Sequence, residues 1–170
     1  MKIECRDDSL TVTAFDAIEA FKIACKIEKD GIEFYRNLAV QEPDPSAKII
    51  FEYLANEEKK HLAFFERQLV QARKTGTEEF EDDDIFSCIE YGIFELYKSI
   101  DDLPALLADI KKALKLGIQV EKRSVQFYGV CKDSITDTAV KEALQTIIDE
   151  EKSHARKISD LLTSVEKNKE

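Results

Sequence analysis

Glu28-Lys29 and Phe34-Tyr35 return 93 residues later as Glu121-Lys122 and Phe127-Tyr128. At the same offset Glu57-Glu58-Lys59-Lys60-His61 returns as Glu150-Glu151-Lys152-Ser153-His154. Charges on a solvated face drift at little cost, so Glu, Glu, Lys, His and an aromatic pair recurring in one register need a structural reason. The repeat therefore requires two equivalent halves, and it contains both histidines of the chain.

Each half reads as a pair of helices. From about 14 to 41, apolar residues recur at Ala17, Phe21, Ala24, Ile27, Phe34 and Leu38, the spacing of one buried helical face. Glu42-Pro43-Asp44-Pro45 stops that helix, since a proline disfavours helix in the residue before it. Asp44 or Ser46 can cap the next, expected over 46–73 through Ile50, Leu54, His61, Phe65 and Leu69. Asp101-Asp102-Leu103-Pro104 predicts the start of a third helix over 103–131, and a fourth is expected over 136–165. Between the hairpins, an acidic run from Glu78 to Asp84 reads as a solvated loop. The stripe Ile85, Ile89, Ile93, Leu96 and Ile100, with Ser87 and Glu90 placed like a capping box, predicts an extra short helix in a long crossover. The expected fold class is all-α: one domain over 1–170, a four-helix bundle of two hairpins.

Helical geometry gives the repeated polar residues a common purpose. Glu58 and His61 stand three apart on one face and can reach a common ion, as can Glu151 and His154. Glu28 lies 15 residues before Pro43 and Glu58 lies 15 after it, so both stand at one level, about 20 Å from the turn. Glu121 and Glu151 flank Thr136 in the same way. Four carboxylates and two imidazoles thus converge in one layer. One Glu from each of two helices and Glu-x-x-His from each of the others is the ligand set of ferritin-like di-iron proteins.

Burying four carboxylates without cations is prohibitive. Two divalent ions balance them, and oxygen-rich ligands with one imidazole per ion suit iron or manganese, with zinc also able to occupy such a site. Tyr35 and Tyr128 each follow a candidate ligand by seven residues, on nearly the same face, where a hydroxyl could hold a carboxylate of the opposite half. The alternative is ordinary core aromatics. Glu57 and Glu150 point about a quarter turn away and read as non-ligands, and Glu33 reads as surface.

Composition excludes several classes. A formal charge of −10 leaves no basic stripe for nucleic acid. Hydrophobic residues at 44% and charged residues at 35% fit neither disorder nor a membrane core, and uncharged runs are too short to span a bilayer. Met1–Asp8 is charged and has no apolar run, which points to the cytoplasm. Cys5, Cys25, Cys88 and Cys131 are scattered with no C-x-x-C pair and read as reduced thiols.

The motifs from Ile27-Glu28 to Phe34-Tyr35, Glu57 to His61, Val120-Glu121 to Phe127-Tyr128, and Glu150 to His154 resemble the rubrerythrin branch of the ferritin-like superfamily. That resemblance covers about 14–73 and 104–162. It implies a ferritin-like four-helix bundle with a non-haem di-iron centre that reacts with hydrogen peroxide or dioxygen. Its ligands would be Glu28, Glu58, His61, Glu121, Glu151 and His154. Full-length rubrerythrins also carry a four-cysteine rubredoxin-like domain. Nothing here supplies it, so an external electron donor such as a rubredoxin-like protein is expected. Where rubrerythrins place a further glutamate that takes part in redox-linked ligand exchange, this chain has Ser124. A homodimer is the expected assembly. An iron-storing ferroxidase and a structural metal-binding bundle stand as alternative functions.

Overall fold

The computed structural model describes residues 2–6, 9–13, 17–75 and 109–167, with side chains described over 17–73 and 109–167. The acidic run and the short helix expected over 85–100 lie outside these residues, as do Cys88 and the side chain of Cys5. Four helices make up the bundle: α1 (Ala17–Gln41), α2 (Pro45–Thr75), α3 (Ile110–Ser134) and α4 (Thr138–Lys167).

Aspartates punctuate these helices. Asp44 Oδ1 accepts from Ala47 N at 2.9 Å and caps α2, with Pro45 in the first turn where its missing N–H costs nothing. Its repeat partner Asp137 accepts from Val140 N at 3.1 Å and caps α4. The third helix begins later than Pro104 suggested. Asp109, in extended conformation, accepts from Lys112 N at 3.3 Å and caps α3 at Ile110.

Cross-bundle pairs fix the topology. Tyr35 bonds Glu121 and Tyr128 bonds Glu28, so α1 and α3 run antiparallel. His61 meets Glu151 and His154 faces Glu58, so α2 and α4 are antiparallel too. Since α1 and α2 form a hairpin, α2 and α3 are parallel. The end of α2 and the start of α3 therefore stand at opposite ends of the bundle, about 40 Å apart along its axis. One long crossover is what this arrangement requires.

The apolar core runs on both sides of the charged layer. Phe34, Phe51, Phe65 and Phe127 are fully buried, and the Phe65 ring lies 4.9 Å from Tyr128 and 6.5 Å from Phe21. At Gly117 a Cβ would meet Phe34 Cε1 at 3.4 Å and Ile158 Cδ1 at 3.5 Å, so the missing side chain lets α3 approach its neighbours closely. Phe65→Ala should lower stability by about 3–5 kcal/mol, a melting-point loss on the order of 10 °C by circular dichroism.

Beyond the bundle, β1 (Lys2–Arg6) pairs antiparallel with β2 (Ser9–Thr13), Lys2 opposite Thr13 and Arg6 opposite Ser9. Reading the first residues only for charge passes over the alternation Leu10-Thr11-Val12-Thr13, a period-two pattern rich in β-branched residues.

Candidate metal centre

The bundle carries six polar side chains into its centre, and each helix supplies them from its apolar face. Glu28 comes from α1, Glu58 and His61 from α2, Glu121 from α3, Glu151 and His154 from α4. All are buried, with relative exposures between 1% and 3%. They form two overlapping groups: Glu28, Glu58, His61 and Glu151, and then Glu58, Glu121, Glu151 and His154. Within each, one donor atom per residue lies within 4.8 Å of the others. Glu58 and Glu151 belong to both groups, the placement of carboxylates that could bridge two ions. His61 Nδ1 stands 3.1 Å from Glu58 Oε2, 3.1 Å from Glu151 Oε1 and 3.7 Å from Glu28 Oε2. His154 Nδ1 stands 3.1 Å from Glu151, 3.7 Å from Glu58 and 3.9 Å from Glu121. The imidazole centroids are 5.7 Å apart.

Two tyrosines brace this layer crosswise. The fully buried Tyr35 hydroxyl donates to Glu121 Oε1, and that of Tyr128 donates to Glu28 Oε1. Each thus holds a carboxylate of the opposite half. Tyr35→Phe would leave Glu121 without that donor, and metal affinity should fall about 10- to 100-fold, read by competition with a chromophoric chelator.

Small residues flank the glutamates. At Gly31 a Cβ would meet Glu58 Cγ at 3.4 Å, so glycine gives Glu58 its place against α1. Ser124, its counterpart in the repeat, is buried at 3% exposure. Glu33 is exposed, and Glu57 and Glu150 fall outside both groups. Glu150 is nonetheless engaged: its Oε2 lies 3.0 Å from His61 Nε2. The repeat gave no sign of this bond, because Glu57, the equivalent residue, pairs with Lys60 at 2.6 Å instead.

Electrostatics test the fit to cations. Among the described residues, the four carboxylates make ion pairs with His61 and His154 alone. Burial, reinforced by the charge of Glu151, pushes the carboxyls of Glu58 and Glu121 well above the usual range. Burial raises Glu28 as well. Glu151 moves the other way: bonds from His154, His61 and Glu121 outweigh its burial and keep it anionic. At His61, burial opposes the charge, but bonds to Glu151, Glu28 and Glu58 overcome it and raise the pKa. Without cations, these shifts leave protons on Glu58, Glu121 and His61. Two divalent ions would replace them with matching charge, and the carboxylate-imidazole donor set suits iron or manganese.

Cys25 and Cys131 are free and buried, and burial pushes the Cys25 thiol up to about 11, which makes it inert rather than reactive. No helix among the described residues is long and apolar enough to cross a membrane.

The sequence model of the family described as Rubrerythrin matches residues 19–162. Among solved structures, the chain is similar to a Thermotoga maritima protein described as a ferritin-like diiron-carboxylate protein. The TM-score is 0.67 at 24% identity, with 90% of this chain and 98% of that one covered. No curated protein matches the chain.

Proposed function

This chain belongs to the rubrerythrin family, and on that premise we propose that it is a non-haem di-iron oxidoreductase. It would reduce hydrogen peroxide or dioxygen with electrons from an external donor protein. The observation that carries this reading is the pair of overlapping donor groups sharing Glu58 and Glu151.

Two irons would be held by Glu28, Glu58, His61 and Glu151, and by Glu58, Glu121, Glu151 and His154. When bound, they would supply the two electrons that, with two protons, convert one peroxide to two waters. The protein's own part is binding, orientation and exclusion of water. Four carboxylates match the charge of two divalent ions, and the tyrosine bonds keep Glu28 and Glu121 aimed inward. Phe51, Phe65 and Leu144, all fully buried, belong to the core that keeps bulk solvent out. An external donor fits the four cysteines of this sequence, which are scattered and form no C-x-x-C pair.

Stopped-flow mixing of anaerobically reduced, iron-loaded protein with peroxide tests the activity. Oxidation of the centre should be far faster than that of free ferrous ion and consume one peroxide per pair of irons. Oxidation no faster than the free ion would sink the oxidoreductase reading and leave a structural or iron-storing bundle.

A further inference from the structure

The two halves diverge just outside the six clustered residues. His61 directs Nδ1 at the carboxylates and Nε2 at Glu150 Oε2, 3.0 Å away on α4. His154 also directs Nδ1 at the carboxylates. Among the described residues, however, Glu57, the counterpart of Glu150, makes no ion pair with it. Lys60 takes Glu57 instead, at 2.6 Å. The counterpart of Lys60 is Ser153, so α4 offers no ammonium at that position to draw Glu150 away. Beside His154 stands the Tyr53 ring, edge-on at 6.2 Å.

We propose that Glu150 is a positioning residue that makes the two metal positions unequal. By accepting the Nε2 proton of His61 it fixes the tautomer that leaves Nδ1 as ligand nitrogen, and it makes that imidazole the stronger donor. The position bounded by Glu28, Glu58, His61 and Glu151 therefore fills first and holds its ion more tightly. The difference between Lys60 and Ser153 sets which half is favoured. This inference rests on the proposed two-metal site.

Cobalt(II), added alone to the metal-free full-length protein and followed by its visible absorption, is the test. The unaltered protein should take up two ions in separate steps. Glu150→Ala should weaken the tighter step about 10- to 100-fold, merging the two. Glu150→Gln, whose amide oxygen can still accept, should fall between, and Glu57→Ala should leave both steps in place. Two ions bound with equal affinity would overturn the inference while leaving the metal site intact. So would equal losses in Glu150→Ala and Glu57→Ala. Absence of any cobalt binding would overturn the site itself, and this inference with it.

Discussion

Metal-free protein should lose stability as pH rises from about 5 to 8, and metal-loaded protein should gain it. Glu58 and Glu121 keep protons in the folded state at a pH where the unfolded chain has released them. Their contribution is complete below the unfolded carboxyl value and is lost as pH rises through the folded one. The raised pKa of His61 acts in the same direction, from the unfolded imidazole value upward. Glu151, held low, contributes above the unfolded value and loses that contribution only in stronger acid, outside this window. Each proton retained only in the folded state steepens the loss by about 1.4 kcal/mol per pH unit.

Metal inverts the sign, because binding requires those same protons to leave. At metal concentrations about 1,000 times Kd, binding adds about 4 kcal/mol, or on the order of 10 °C in melting temperature. Paired thermal melts at acidic and alkaline pH, with and without ferrous iron under anaerobic conditions, check both slopes. Parallel slopes would mean that the cluster does not exchange protons for metal.

The second large effect follows from the sharing of Glu58 and Glu151. Glu58→Gln or Glu151→Gln should abolish binding of both ions, because each residue belongs to both donor groups. Glu28→Gln and Glu121→Gln touch one group each and should leave about one ion bound. The same Glu58→Gln change removes a buried acid that no metal neutralises in the metal-free protein. That form should therefore gain stability at alkaline pH, on the order of 1–4 kcal/mol. Loss of metal together with gain of stability separates a site residue from a packing residue, whose replacement costs both. Metal analysis and melting curves on the four variants give the pattern directly.

What could be read from the sequence was whatever local rules determine. Asp44 and Asp137 sit one repeat apart and cap α2 and α4, so the two turns, and with them the common level of the glutamates, follow from short-range chemistry. The spacing of Tyr35 and Tyr128 left two readings, a bond to the opposite half or ordinary core packing, and in the structure Tyr35 bonds Glu121 and Tyr128 bonds Glu28. The start of α3 was harder to read. Pro104 is an apt first-turn residue, but Asp109 competes as a cap and its bond to Lys112 marks the observed boundary. The bond between Glu150 and His61 depends on how α4 lies against α2, and on a lysine that one half has and the other lacks. No pattern within a single helix carries that information.

The most direct test is the metal content of the protein, measured after anaerobic reconstitution with ferrous iron and removal of the excess. The proposed two-metal site predicts about two irons per chain, falling to about none in Glu58→Gln and Glu151→Gln. Unaltered protein that folds but retains no iron, manganese or zinc after reconstitution would contradict it.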